Sequence, residues 1–281
     1  MRVEPRTSLV APLKSIVSDL SAVFFPSDCR LCLTPLISVS RLPVCPECLE
    51  ALSPIRIAQC VLCGERLAAA QLLIGNGQCQ ACCEYPPNFD RAVSYGEYDS
   101  GLRDLIHLLK YSGVLPGAKP LGKLLAQSIE QLGLGDAAVV LVPVPLHASK
   151  RRERRFNQAE LIARAALKHF SPRLELDCNV LVRERATRSQ VGLDRQARIE
   201  NMHGAFRVIE SQRIQGRTVI VVDDVMTTGT TVSECARVLK RAGAERVFAA
   251  TVARALKRAN ASSFSKEHWG EEVEAAQLAS V

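Results

Sequence analysis

Two groups of residues in this 281-residue chain have the types and spacing for chemistry. The first is cysteine. Nine of the eleven fall before residue 84, as Cys29-x-x-Cys32, Cys45-x-x-Cys48, Cys60-x-x-Cys63 and Cys79-x-x-Cys82-Cys83. In a C-x-x-C turn both thiolates can face one ion, and two such turns complete a tetrahedral zinc site. The 12 residues between the first two pairs and the 15 between the last two suit zinc ribbons or knuckles. With no sign of export, disulfides are the weaker reading. Four ligands per ion leave no open position for water or substrate, and the segment holds few large apolar residues, so the metal's role is structural. The expected sets are Cys29, Cys32, Cys45 and Cys48 on one ion and Cys60, Cys63, Cys79 and Cys82 on a second, about two zinc ions per chain. An interleaved pairing fits the sequence as well, and Cys83 could replace Cys82. Cys178 and Cys235 fall in apolar-periodic segments and read as small buried hydrophobes.

The second group is "VIVVDDVMTTGTT", residues 219–231. An apolar run ends in the paired acids Asp223 and Asp224, and Thr227, Thr228, Gly229, Thr230 and Thr231 follow. A threonine alone would be an ordinary helix N-cap, and the combination is more specific. Two adjacent carboxylates accept hydrogen bonds from the two hydroxyls of a ribose. The helix opened by the loop offers free N–H groups and a positive dipole end to a phosphate. Gly229 lets the backbone approach the anion, and the threonine hydroxyls add donors. The stretch reads as a sugar-phosphate cradle.

The elements that must position these residues follow from periodicity. "AVSYGEYD", "AAVVLVPVPLH", "NVLVRE", "RTVIVVDD" and "RVFAATVAR" read as strands. "SGLRDLIHLLKY", "AKPLGKLLAQSIEQL", "FNQAELIARAALKHF" and "TTVSECARVLKRAGA" read as helices. Strands alternating with helices, several apolar on both faces, predict a parallel sheet covered on both sides. In such sheets ligands bind beyond the carboxyl ends of the strands, where Asp223 and Asp224 fall. The expected organisation is an amphipathic helix over 1–25, a zinc-ribbon module over 26–90 ending in the linker "YPPNFDR", an α/β domain over 91–258 and a tail over 259–281. No stretch reaches the roughly 18 apolar residues of a membrane span, and the chain reads as cytoplasmic. Charge is uneven: residues 1–90 carry 7 Lys/Arg against 8 Asp/Glu, while residues 147–217 carry 16 against 8. That basic window is a solvated surface or a face for phosphates, of a nucleotide or of nucleic acid.

The motif at 219–231 resembles the 13-residue phosphoribosyl pyrophosphate (PRPP) motif of type I phosphoribosyltransferases. Together with the cysteine-rich N-terminus, "VPVPLHASKRRERRFNQAELIA" and "RATRSQVGLDRQARIENMHGAF", it looks like the ComF family of competence-protein-F-like proteins, over roughly residues 25–255. Where that family usually reads Arg-Gly-Phe-Asn-Gln, this chain has Arg155 in the glycine's place. The resemblance implies a type I phosphoribosyltransferase-like α/β sheet flanked by helices, preceded by the cysteine-rich module. It implies that Asp223 and Asp224 hold the ribose 2′- and 3′-hydroxyls and that residues Thr227–Thr231 hold the 5′-phosphate. Pro143, Val144 and Pro145 look like the pyrophosphate loop. Arg183, Arg185 and Arg188 are candidate donors to the leaving pyrophosphate, and magnesium would accompany PRPP. His107, His147 and His203 have no partner at catalytic spacing, so no general base is named. Two functions of different class follow. One is an enzyme of the glycosyltransferase class moving phosphoribosyl from PRPP to an unknown acceptor. The other is a non-catalytic, PRPP-responsive factor that handles single-stranded DNA, with other competence or DNA-uptake proteins as partners.

Overall fold

Runs of β-branched residues become the strands of one parallel sheet in the computed structural model, which describes residues 27–36, 40–68, 76–135, 137–170, 174–187 and 195–256. The helix expected near the N-terminus, the C-terminal tail and Arg188 lie outside the described residues. The strands are β1 (Arg91–Glu97), β2 (Val139–Pro143), β3 (Leu174–Leu176), β4 (Leu181–Arg183), β5 (Phe206–Val208), β6 (Thr218–Met226) and β7 (Arg246–Arg254). Five form a sheet in the order β1-β7-β6-β2-β3, with every neighbouring pair parallel. The segment "NVLVRE" does contain a strand, but β4 lies outside this sheet and pairs antiparallel with β5. Periodicity marked neither β3 nor β5, because three residues are too few to carry an alternation.

Burial along β6 shows why the central strands are apolar throughout. Val219 and Val221 face one core and Ile220 and Val222 the other. Successive side chains of a strand point to opposite faces, so a sheet covered on both sides needs both sets apolar. One face is covered by helices α3 (Ser100–Lys110), α4 (Ala118–Glu130) and α6 (Gln158–Leu167), and the other by α8 (Thr230–Arg241) and the β4–β5 pair. Helices α4 and α6 touch closely at Gly122, where a Cβ would fall 2.4 Å from the Ala165 Cβ. Only glycine permits that approach.

The cysteine-rich segment contributes two short helices, α1 (Pro46–Glu50) and α2 (Gln80–Glu84), and covers the open edge of β1. Ala92 N–H donates to the Leu62 carbonyl at 2.7 Å, and Ile55 N–H to the Tyr95 carbonyl at 2.9 Å. An edge strand that would otherwise expose unpaired backbone groups is thereby closed. Two further α-helices are α5 (Ala148–Arg154) after β2 and α7 (Arg195–Met202) before β5. Among the described residues no helix is long and apolar enough to cross a membrane.

Candidate functional site

The eight cysteines of the C-x-x-C pairs gather into two clusters: Cys29, Cys32, Cys45 and Cys48, and Cys60, Cys63, Cys79 and Cys82. Within each, the sulfurs lie within 4.8 Å of one another. Cys32 and Cys45 Sγ are 3.7 Å apart, Cys29 and Cys48 Sγ 3.9 Å, and Cys63 and Cys79 Sγ 3.6 Å. A tetrahedron with zinc–sulfur bonds of about 2.3 Å has edges of about 3.8 Å, so both clusters could hold structural zinc. Cys83 is exposed, with Asn76 and Gln78 beside its sulfur, and stands outside the second cluster. Cys235 is fully buried, as its apolar segment suggests, but Cys178 is only half-buried, with its sulfur 3.7 Å from Arg164 Nη2.

The paired acids lie at the carboxyl end of β6. Asp224 is buried, its Oδ1 accepts from Val225 N–H at 2.9 Å, and its Oδ2 pairs with the Lys110 ammonium from the end of α3. Asp223 is half-buried and accepts from Asp224 N–H at 2.9 Å. Burial pushes the Asp223 carboxyl up to about 6, against the pull of Lys110, Arg183 and Arg154. Burial likewise pushes the Lys110 ammonium down to about 8, with Asp223 opposing. Lys110 escapes sequence reading because it looks like the charged end of an amphipathic helix. It falls four residues after the buried Ile106, so it continues the inward stripe rather than facing water.

Beyond the acids, Gly229 adopts φ +78°, a region open to glycine at little cost, and serves as N-cap of α8. No side chain caps that helix start; the Thr228 and Thr230 hydroxyls pair with each other at 2.8 Å. Pro143 is in register with Val222 on the adjoining strand, and Val144 N–H donates to the Val222 carbonyl at 2.8 Å. The Pro143–Pro145 stretch therefore lies beside the acids. Asn157 holds it there, donating from Nδ2 to the Val144 carbonyl at 3.0 Å.

The three candidate arginines separate. Arg183 is half-buried, with its guanidinium 5.4 Å from the centre of the Phe206 ring and a hydrogen bond to the Thr187 hydroxyl. Burial lowers its pKa, and Asp223 is among the anions that oppose the shift. Arg185 instead donates to the Asn201 and His203 carbonyls at 2.9 and 2.8 Å, closing the end of α7. His147 is the N-cap of α5, accepting from Ser149 N–H. His107 meets the Tyr98 hydroxyl at 2.8 Å through Nε2. Arg155, in the position of the family glycine, adopts φ +65° as the C-cap of α5, so the left-handed turn that glycine favours is formed here by arginine.

Residues 161–276 match the phosphoribosyl transferase domain family. The chain is 34% identical over 228 residues to the DNA utilization protein YhgH of Salmonella typhimurium, covering 79% of this chain and 94% of that one. The chain belongs to the ComF family. Other ComF-type relatives are the DNA utilization protein YhgH of Escherichia coli K12, 33% identical with the same coverage, and the Competence protein F of Haemophilus influenzae. The latter is 29% identical over 240 residues, spanning 83% of this chain and 99% of its own length.

Proposed function

We propose that this ComF-family protein binds PRPP at the carboxyl end of β6. The observation that carries the reading is the adjacency of two carboxylates, Asp223 and Asp224, to an uncapped helix start opened by a left-handed glycine. The acids accept from the ribose hydroxyls, while backbone amides and hydroxyls of the Thr227–Thr231 segment donate to the 5′-phosphate. Lys110 from α3, Arg154 from α5 and Arg183 from β4 all act on Asp223. Lys110 pairs with Asp224, and all three cations favour the charged Asp223 carboxylate, a positive field that suits a ligand carrying a pyrophosphate next to its ribose. The Pro143–Pro145 stretch would flank that pyrophosphate. The acid pair is a hard oxygen donor set that fits magnesium, which would supply charge neutralisation at the pyrophosphate. In the clusters zinc would be structural, because four thiolates leave no open coordination position.

Titration calorimetry with PRPP and magnesium tests this. Micromolar or tighter binding that is lost in the Asp223→Asn, Asp224→Asn double variant supports the reading, and absence of binding by the wild-type protein overturns it. Pyrophosphate release on incubation with candidate bases then separates a phosphoribosyl-transferring enzyme from a PRPP-responsive binding protein. A second activity is favoured by helix α5, where Lys150, Arg151 and Arg152 are all exposed. Relatives named for DNA utilization and competence lead us to assign this surface to single-stranded DNA. The expected signature is sequence-tolerant binding that falls by about 0.7 log units per contacted phosphate per tenfold rise in salt.

A further inference from the structure

Arg254, at the end of β7, is 2% exposed. It sits opposite Met226 in the β6–β7 register, where the strand gives way to the glycine-threonine loop. From there its guanidinium reaches two parts of the molecule at once. Nη1 donates to the Met226 carbonyl at 3.1 Å and to the Thr227 carbonyl. Nη2 donates to Glu65 Oε2 at 3.2 Å and lies 3.9 Å from the Cys63 sulfur. Glu65 is itself buried and comes two residues after Cys63. One side chain thus joins the second cysteine cluster to the start of the loop.

The geometry of the peptide unit gives this contact a consequence. In a trans peptide the C=O of one residue and the N–H of the next point in opposite directions. The Met226 carbonyl accepts from Arg254 and from Ala255 N–H at 2.9 Å, and the Thr227 carbonyl accepts from Arg254, so the amides of Thr227 and Thr228 are turned away from the guanidinium. Those amides stand at the head of the segment to which the 5′-phosphate is assigned. A planar guanidinium has five N–H donors in a fixed fork and can serve two carbonyls and a carboxylate together; an ammonium cannot match that geometry.

A second line of contact runs in parallel. The chain leaving α2, which carries Cys82, passes under the same loop. A Cβ on Gly229 would lie 3.7 Å from the Phe89 ring, and Asn88 donates from its backbone N–H and Nδ2 to the Ser233 hydroxyl in the first turn of α8, at 3.0 Å each.

We propose that Arg254 is a positioning residue that orients the loop amides toward an anion, and that through it the folded state of the second cysteine cluster sets the anion affinity of the loop. The proposal rests on the reading that this loop holds a phosphate. Its test uses the full-length protein. Arg254→Lys should retain the wild-type metal content while weakening PRPP affinity at least tenfold. In the ligand-free protein the backbone order parameters of Thr227 and Thr228 should fall, with those of Val219–Val222 unchanged. A merely structural role would lower the strand values along with those of the loop. Wild-type affinity and wild-type loop order in Arg254→Lys overturn the proposal. Cys82→Ser should weaken PRPP binding at least fivefold more than Cys48→Ser does, and equal losses overturn the link to the second cluster. If Arg254→Lys does not fold, withdrawing metal from the wild-type protein with a chelator gives the same reading: lower loop order supports the link and unchanged loop order overturns it. If the wild-type protein does not bind PRPP, the function proposed above fails, while the order-parameter comparison still decides the role of Arg254.

Discussion

The two cysteine clusters have the same ligand chemistry and different surroundings. All four cysteines of the second cluster are buried, whereas in the first Cys32 is exposed and Cys48 half-buried. The first packs with Tyr95, Leu102 and Leu105 into the core beneath α3 and α4. The second packs with Phe89, Met226 and Val232 into the core beneath α8, on the opposite face of the sheet. The cysteine-rich segment therefore straddles the β1 edge and enters both cores. On one face a cluster of this kind acts as a staple for the sheet edge. On the other, the same four thiols adjoin a buried arginine and the loop that follows the paired acids. What a cysteine cluster contributes depends less on its thiols than on which core receives it.

The largest expected effect bears on the paired acids, where Lys110 of α3, from the first face, meets Asp224. Asp223→Asn with Asp224→Asn should leave the metal content intact and weaken PRPP binding tenfold or more, since each charge-assisted hydrogen bond contributes about 1.5–3 kcal/mol. Unchanged affinity by calorimetry would remove the ribose from the acids.

Next in size is a change confined to the first face. Gly122→Ala places a methyl group against Ala165 and should cost about 1–3 kcal/mol of stability in chemical denaturation. PRPP affinity should stay within twofold of wild type. A parallel loss of affinity would show that the packing of α4 on α6 reaches the acids.

The pH dependence is smaller. Because burial raises the Asp223 carboxyl to about 6, it loses its charge below that pH. PRPP affinity should then fall, by no more than about tenfold per pH unit. Lys110 holds this pKa down, so Lys110→Met should move the midpoint to higher pH. The sign for stability is opposite. A buried carboxyl with a raised pKa favours the folded state while protonated, so this group's contribution declines as pH rises from the ordinary 3.8 through about 6. An affinity profile flat between pH 5 and 7, measured by titration in that range, would remove Asp223 from the site.

The smallest effect is at Arg155. Glycine there relieves a left-handed φ of +65° and should stabilise the protein by about 0.5–1 kcal/mol, read from the denaturation midpoint. An unchanged or lower midpoint would mean that the Arg155 side chain contributes more than its backbone costs.

The sequence by itself determined the elements with strong local signals. The C-x-x-C spacing, the apolar runs and the "DDVMTTGTT" stretch each place several informative residues within a few positions, so the cysteine pairs, the four long helices and the parallel sheet were legible. Short pieces were not. Strands β3 and β5 are too brief for a period, and α5 is too charged to show an apolar stripe. Tertiary structure alone decided which cysteines share a cluster and that Cys83 stands aside, because equal spacing permits several pairings and only the fold brings sulfurs together. It also decided what the isolated charges do. Lys110 meets Asp224 across 114 positions of sequence, and Arg254 meets Glu65 across 189. A lone cation at the end of a helix or strand looks the same in sequence whether it faces water or a buried acid. Only chain topology supplies the partner that makes burying it tolerable.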